Sequence, residues 1–430
     1  MKLIDRLAAR PWLVLAACAL ISISFWRWAK HILVPAYTLQ IVASGRPTGN
    51  NSDLYPRWLG ARELLLRGRD PYSAEVTREI QTGFYGRPLN AHNPSDPKAQ
   101  ESFVYPLYVV FLLAPTVGLP FATVVTISRW LLLVAIALSF SLWACAVGMH
   151  SDRIYLLAGV LLALGSYPAF EEYSQQNLTA LVIFFLAAAA ASIVSNRLVL
   201  GGFLLALATV KPDIAGPLIL WFLIWALSGW KDRNRLIGSF AVTMTALLAG
   251  AEMLSPHWLG RFAAALREYP SYGSDPSILQ LFLPPFLARA LEALLLVIVI
   301  VICWRWRTAR PTSFEFGAAL AWVTSATLVL LPKQAAYNQL LLMPALFVLV
   351  ARLDSVPAPG LLPRALMKAA FTCQIWQWLS ATVLCLIALI VPVEKLRAVA
   401  EAPLYTLLAL PLTTFLAIFL VTFLTQPEQT

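Results

Sequence analysis

Charged residues are scarce in this 430-residue chain, since Asp, Glu, Lys and Arg together make up 13% of it, against about 25% in a typical soluble domain. Hydrophobic residues make up 59%, and the mean hydropathy is +0.72. Apolar runs of about 18 residues or more, each long enough to cross a bilayer as a helix, recur along the sequence. The alternating segments of about ten residues that mark a transmembrane barrel are missing. These features exclude a soluble globular domain and predict an all-α, polytopic transmembrane helical bundle.

The residues that disulfides and metal sites require are also few. The five cysteines are an odd number, and all lie within or at the edge of apolar segments, so we expect no disulfide framework. The four histidines are scattered without ligand spacing, and Asp-X-Asp does not occur, so we expect no metal. Walker loops, nucleophile elbows and dinucleotide fingerprints are missing as well. We expect no cofactor, and any catalysis would use carboxylates and cations.

Lys and Arg outnumber Asp and Glu by 32 to 22, which gives a net charge of +10. In a membrane protein this excess marks cytoplasmic loops, and "WKDRNR" (230–235) and "WRWRTAR" (304–310) fit that role. No stretch interleaves exposed basic and aromatic residues as a nucleic-acid surface does, so no nucleic-acid partner is expected. The N-terminal apolar run continues past its signal-like "LAAC", which predicts a retained first helix with a cytoplasmic N-terminus.

Thirteen apolar segments can be distinguished along the chain. They fall near 11–30, 104–118, 120–148, 154–168, 178–195, 198–211, 213–229, 236–254, 286–303, 314–331, 338–351, 367–391 and 403–425. Placing the basic stretches in the cytoplasm requires an even number of crossings between them and the N-terminus, so we expect the short segment 104–118 not to cross. About twelve transmembrane helices remain, with both termini cytoplasmic, in one integral-membrane domain covering 1–430. The sequence does not indicate a role for the C-terminal helices in 351–430.

Residues 44–102 form the one long polar segment and are predicted to be the first external loop. It carries eight basic and seven acidic residues, so its net charge is only +1. Apolar residues at helical spacing predict an amphipathic helix over 54–67 that lies on the membrane, with Arg57, Glu63 and Arg67 off its apolar stripe. Ser73 is predicted to cap a second helix. The second external loop, 255–277, predicts another membrane-lying amphipathic helix.

Asp53 stands just before the predicted helix 54–67, and two roles are open for it. Asp is a favoured N-cap residue, as are Asn51 and Ser52. A carboxylate on the external side of the membrane could instead act as a catalytic base. One carboxylate oxygen could cap while the other accepts a proton, so position alone does not separate the two roles.

Polar residues at two further helix starts also have two interpretations. Tyr105 in "SFVYPLYVV" fits an interfacial anchor or a substrate contact. In "FEEYSQQNLTA" the amides of Gln175, Gln176 and Asn177 fit either a solvated turn or a cavity wall that binds sugar hydroxyls or phosphate.

Lys211 lies inside the apolar run "LLALATVKPDIAGPL", and an ionisable residue at membrane depth is a functional candidate by default. Snorkelling to the interface is the alternative. Pro212 predicts a helix break there. "LPKQAAYNQLLLMP" repeats the pattern with Lys333, Tyr337 and Asn338.

In order and spacing, five stretches resemble glycosyltransferase family 87: "SDLYPRWLGARELLLRGRDPY", "FVYPLYVVFLLAP", "SQQNLTALVIFFLAAAAA", "GGFLLALATVKPDIAGPLILWFL" and "AYNQLLLMPALFVL". The resemblance implies a GT-C-like membrane fold that uses polyprenyl-phosphate sugars. It implies that Asp53 is the catalytic base and that Gln175, Asn177 and Lys211 line the donor pocket. The last stretch departs from the family, because it has no histidine and has Asn338 where Asp is common, so phosphate binding could shift to Lys333.

The resemblance and the polar residues together give the candidate site. The candidate phosphate-binding residues are Lys211, Lys333 and Arg57, and the candidate substrate-binding residues are Tyr105, Gln175, Gln176, Asn177, Tyr337, Asn338 and His257. We expect metal-independent, inverting transfer of mannose or another hexose or pentose from a polyprenyl-phosphate donor to a lipid or glycan hydroxyl. The expected location is the external face of a prokaryotic cytoplasmic membrane, with membrane lipids as further partners.

Three rival interpretations remain open at the level of sequence. The first is a lipid or solute transporter or flippase, in which Lys211, Glu252 and the broken helix would form a translocation site. The other two are a lipid-linked polymerase or ligase and a non-catalytic scaffold.

Overall fold

Helices account for all the regular secondary structure in the computed structural model, which describes residues 10–44, 48–90, 96, 101–149, 152–268, 276–332, 335–352 and 361–424. No strand occurs in these ranges. The prediction of an all-α fold is therefore confirmed.

The first half of the chain contributes eleven helices. They are α1 (Pro11–Ala43), α2 (Leu54–Arg67), α3 (Ala74–Tyr85), α4 (Val109–Leu113), α5 (Phe121–Ala146), α6 (Arg153–Leu164), α7 (Tyr167–Gln175), α8 (Thr179–Val194), α9 (Leu198–Ala208), α10 (Pro212–Leu227) and α11 (Trp230–Leu254).

The second half contributes eight more. They are α12 (Trp258–Glu268), α13 (Ile278–Phe282), α14 (Pro285–Arg305), α15 (Phe314–Leu330), α16 (Met343–Arg352), α17 (Leu361–Ile387), α18 (Val393–Leu396) and α19 (Leu410–Leu424). A 3₁₀ helix, Ala336–Leu342, leads directly into α16.

Helix α1 is longer than the predicted segment 11–30. It continues to Ala43 through one π-helical turn, Ala29–Leu33. Pro35 explains the turn, because its ring clashes with the carbonyl of the residue four positions earlier and a wider turn relieves that clash. The polar segment therefore begins at residue 44, as predicted.

The predicted helices of the first polar segment are present. Helix α2 has the predicted bounds, and the Ser73 side chain caps α3 by accepting from the Val76 amide. Glu63 differs from a residue on a solvated helix face, because its side chain is 2% exposed and pairs with Arg67 and Arg69 at 3.1 and 2.7 Å. The chain after α2 folds back and supplies the arginine that makes this burial possible. Whether α2 lies on a membrane stays a prediction.

Several helices are long and apolar enough to cross a membrane. Five qualify singly, and α6 with α7, bent by 55° at their junction, makes a sixth. The other apolar helices are shorter, at 10–17 residues. Segment 104–118 forms only the five-residue α4 and a 3₁₀ turn, which is too short to span about 30 Å. The chain is a helical membrane protein, whereas the count of twelve spans stays a prediction.

The two basic stretches predicted to share one side of the membrane lie together. Trp225 Nε1 donates to the Ala309 carbonyl at 2.8 Å. The Arg233 guanidinium stacks on the Trp225 ring at 3.8 Å and donates to the Arg307 carbonyl. The stretches 230–235 and 304–310 are therefore at the same end of the bundle.

The C-terminal helices pack against α1 and against the junction of α6 with α7. Buried residues of α17 form a cluster with Phe25, Trp28 and Ile32 of α1. Trp28 Nε1 donates to the Ala400 carbonyl at 3.1 Å, and Trp378 Nε1 donates to the Gly165 carbonyl at 2.7 Å. This part of the chain thus holds α1 against the α6–α7 junction.

Candidate active site

Four interruptions of helical structure meet in one place. They are the loop before α2, the left-handed turn after α7, the break between α9 and α10, and the 3₁₀ helix before α16. Helix ends leave backbone polar groups without partners in the helix, so polar side chains gather there. Most of the side chains predicted for the site lie at these four points.

Asp53 occupies the N-cap position of α2 but makes no side-chain cap hydrogen bond. Its Oδ2 instead accepts from Asn177 Nδ2 at 2.7 Å and from the Tyr337 hydroxyl at 3.2 Å. No described residue donates a hydrogen bond to its Oδ1. Ser52 makes the local turn in its place, because its Oγ accepts from the Leu54 amide at 3.3 Å. The capping interpretation of Asp53 is therefore not realised.

The turn after α7 fixes the position of the Asp53 loop. The Asp53 amide donates to the Gln175 carbonyl at 2.8 Å, and Ser52 Oγ donates to Gln176 Oε1 at 2.7 Å. Gln176 is in the left-handed region, with φ 52°, and is buried with Asn177. This turn is therefore not a solvated loop, and Gln175 and Gln176 position Asp53.

Asn177 joins the carboxylate to Lys211. Its Nδ2 donates to Asp53 and to the Tyr337 hydroxyl, at 2.7 and 3.0 Å. Its Oδ1 accepts from Lys211 Nζ at 3.1 Å and from Thr179 Oγ1 at 2.9 Å. The two ends of one amide thus face opposite charges.

Lys211 lies at the start of α10, in the predicted break, and is 6% exposed. Its ammonium donates to three neutral oxygens: Asn177 Oδ1, Thr179 Oγ1 and Asn338 Oδ1. An ammonium has three N–H bonds, so all of its donors have partners within the protein. Its Nζ is also 4.9 Å from the centre of the Tyr337 ring.

The 3₁₀ helix supplies Tyr337 and Asn338 to the same cluster. Glu171 Oε2 accepts from the Tyr337 amide at 2.7 Å and so anchors the start of this helix to α7. Glu171 and Thr179 are the site residues that we did not single out from the sequence as ligands. Thr179 follows Asn177 by two positions in "QNLT", and this closeness to a predicted site residue could have identified it.

Arg57 lies one helical turn after Asp53 and stacks on Tyr105, with its Cζ 4.2 Å from the ring centre. Its buried Nε and Nη1 have no hydrogen-bond partner among the described residues. Burial opposes its charge, but Tyr105, Asp53 and Glu101 outweigh that effect and raise the pKa of Arg57 above its ordinary value. A permanently charged guanidinium with free N–H groups can bind an anion such as phosphate.

Two predicted residues are not described as members of this cluster, for different reasons. Lys333 lies outside the described residues, so its prediction stays untested. His257 lies exposed between α11 and α12, and its amide donates to Glu252 Oε1 at 2.7 Å. Glu252 is also exposed and is not among the described hydrogen-bond partners of Lys211, which are Asn177, Thr179 and Asn338. The two charged residues that the transporter interpretation placed in one translocation site therefore do not contact each other among the described residues.

The described side chains of the cluster are carboxylates, amides, hydroxyls and two cations. Over the described ranges, His, Cys, Asp and Glu side chains form no group of three that could hold a metal ion. In this arrangement Asp53 could accept a proton and Arg57 could stabilise negative charge. Lys211 adds a second positive charge, separated from Asp53 by the Asn177 amide.

The fold and this cluster together define a polytopic helical membrane protein with a buried site that combines a carboxylate, amides and cations. The model of glycosyltransferase family 87 matches residues 103–353, and the chain belongs to that family. The matched region contains Asn177, Lys211 and Tyr337 but begins after Asp53. No curated protein and no solved structure matches the chain.

Proposed function

We propose that this glycosyltransferase moves a sugar, mannose or another hexose or pentose, from a polyprenyl-phosphate donor to a lipid or glycan hydroxyl. The observation that carries the proposal is the hydrogen bonding of the Asp53 carboxylate. One of its oxygens is fixed by Asn177 and Tyr337, and the other has no donor among the described residues. A carboxylate held in this way is aimed and can still accept a proton.

In the proposed reaction, Asp53 takes the proton of the acceptor hydroxyl as the hydroxyl oxygen attacks the anomeric carbon. The bond from that carbon to the phosphate oxygen breaks, and its electron pair leaves with the polyprenyl phosphate. Arg57 provides N–H groups for the negative charge that develops on the phosphate. One displacement of this kind inverts the anomeric centre.

Lys211 has a different role in the proposed reaction from that of Arg57. Its three N–H bonds already have acceptors, so in the arrangement described it contributes positive charge to the site and holds the Asn177 amide. A direct contact with phosphate would require it to exchange one of these partners. Lys333 stays a candidate for such a contact.

We also propose that the chain crosses the membrane twelve times, with the site on the external face and both termini in the cytoplasm. The five long helices, the bent pair and the six shorter apolar helices would supply these crossings. The contact between 230–235 and 304–310 supports a common cytoplasmic side. The proposed location is the cytoplasmic membrane of a prokaryote, whose lipids would include the polyprenyl-phosphate donor.

Asp53→Asn tests the catalytic assignment. The amide preserves the shape of the side chain but cannot take the proton, so we expect transfer to fall by about 10²–10⁴-fold. The measurement is mass spectrometry of products after incubation with a panel of polyprenyl-phosphate sugars, in which the unmodified chain also identifies the donor. Undiminished transfer by the variant would overturn the role of Asp53.

Asp152→Asn is the matched control, because it makes the same change at a carboxylate outside the cluster. Asp152 is exposed and caps α6 by accepting from the Ile154 amide at 3.1 Å, a role that asparagine also fills. We expect this variant to retain most of the activity. If no polyprenyl-phosphate sugar is consumed by the unmodified chain, the donor class is wrong whatever the variants do.

A further inference from the structure

A crevice with a volume of about 890 Å³ lies at the end of the bundle away from Lys211, between the start of α9 and the start of α11. Three basic side chains line it: Arg197, Lys231 and Arg235. All three are exposed, and none is in an ion pair with a described residue. Asp232 is the one acidic residue in the lining, so the side chains give the crevice a net charge of +2.

The backbone adds to this positive charge. The first turns of α9 and α11 both border the crevice, and neither helix has a side-chain cap hydrogen bond at its N-terminus. Uncapped N-terminal N–H groups and the helix dipole favour an anion at this position. Arg233, by contrast, turns away to the Trp225 ring and carbonyl.

One side of the crevice is apolar and exposed. Val199, Leu200 and Phe203 line it on α9, and all three are exposed. Helix α11 is long and apolar enough to cross a membrane, so its first turn lies at a membrane surface whichever way the chain is oriented. The crevice therefore combines cations at the level of lipid headgroups with apolar side chains that extend toward the lipid tails.

We propose that this crevice binds a phospholipid with a net negative headgroup. The headgroup phosphate would contact Arg197, Arg235 and the free N–H groups, and an acyl chain would lie along Val199, Leu200 and Phe203. Basic pockets between transmembrane helices are suited to such headgroups. The inference is independent of the sugar-transfer proposal, because the crevice shares no residue with the Asp53 cluster.

The test measures lipid affinity by native mass spectrometry on the full chain in a neutral detergent. Phosphatidylglycerol is the probe, phosphatidylcholine tests the need for charge, and inorganic phosphate tests the need for a lipid. The crevice variant is Arg197→Gln with Arg235→Gln. Because each basic residue near a lipid surface is worth about 1 kcal/mol, we expect phosphatidylglycerol to bind about 30-fold more weakly to this variant.

The matched control is Arg305→Gln with Arg310→Gln. It also removes two positive charges at the same end of the bundle, but from exposed residues outside the crevice. We expect this control to retain the affinity for phosphatidylglycerol. Equal losses in the two variants, unchanged binding in the crevice variant, or equal binding of phosphatidylcholine would overturn the proposal. Competition by inorganic phosphate at the lipid's own concentration would show a free-anion site and overturn the lipid assignment.

Discussion

Asn177 is the residue on which the geometry of the site depends most. Its amide donates to Asp53 at one end and accepts from Lys211 at the other. If the amide turned over, its oxygen would face a carboxylate and its NH₂ an ammonium, and both contacts would be repulsive. Lys211 thereby fixes the orientation in which Asn177 stabilises Asp53.

We expect Lys211→Met to lower kcat by about 10²-fold, because a misplaced catalytic group costs that much, and to change the KM for the donor little. Steady-state kinetics with the donor identified above measure both constants. Asn177→Leu should have a similar effect. The double variant should be little worse than either single one, since the two residues act in series.

A different outcome would return Lys211 to the role predicted from the sequence. If the donor KM rises while kcat is kept, Lys211 contacts the phosphate directly. Arg57→Gln provides the comparison, because in the proposed reaction Arg57 touches the phosphate and its loss should lower kcat/KM for every donor.

Much of the site could be predicted at the residue scale. Asn177, Lys211 and Tyr337 were conspicuous because each is polar beside an apolar run. Asp53 lies in a polar segment, and its assignment as a base came from the family resemblance. Their pairing was not predictable, since Asp53 and Tyr337 are 284 positions apart and no local pattern records such contacts. For the same reason the sequence could not show that the ammonium of Lys211 is already fully bonded.

At the scale of helices, α9 and α11 pack unusually closely. A Cβ built on Gly202 would lie 2.2 Å from the Leu236 carbonyl oxygen, so only glycine fits at this contact. Ser239 Oγ also donates to the Val199 carbonyl at 2.7 Å. This contact sets the distance between the two helix starts that border the basic crevice.

We expect Gly202→Ala to destabilise the chain by about 1–3 kcal/mol, because the added methyl group meets backbone that must shift. Thermal unfolding in detergent measures the change. Gly238→Ala on α11 is the control, since a Cβ there meets nothing within 4 Å, and alanine should be neutral or slightly stabilising. Equal effects of the two variants would show that the close approach is not limiting.

The observed helix bounds agree with the predicted ones where local signals such as capping residues mark them. They differ from the predicted bounds elsewhere. Helix α2 and the Ser73 cap of α3 were predicted, because amphipathic spacing and capping residues are local signals. The end of α1 at Ala43 was not predicted, because the π-helical turn that accommodates Pro35 has no local sequence signal. The burial of Glu63 required Arg69 from the returning loop.

At the scale of the whole molecule, the C-terminal helices join the two ends of the chain. Trp28 on α1 is fully buried and bonds to the Ala400 carbonyl. Gln377 Oε1 accepts from the Tyr167 amide at 2.9 Å, at the start of the helix that carries Glu171. The described residues of 361–424 therefore support the site without contributing a side chain to the Asp53 cluster.

We expect Trp28→Ala to lower the free energy of unfolding by about 3–5 kcal/mol, the usual cost of truncating a buried tryptophan. The measurement is the unfolding midpoint of the full chain in detergent. Trp12→Ala on the same helix is the control, because Trp12 is 70% exposed and its loss should change the midpoint little. A Trp28 variant as stable as the control would mean that α1 and the C-terminal helices do not support each other.

The sequence by itself determined the membrane class, the helical fold and the polar residues of the site, because composition, apolar run length and capping chemistry are local properties of the chain. The tertiary structure decided which polar groups meet. It brought four helix interruptions together and satisfied the donors of Lys211, whereas Nε and Nη1 of Arg57 have no partner among the described residues. Such contacts depend on the packing of helices that are distant in sequence, and packing selects among pairings that the residue types alone leave equivalent.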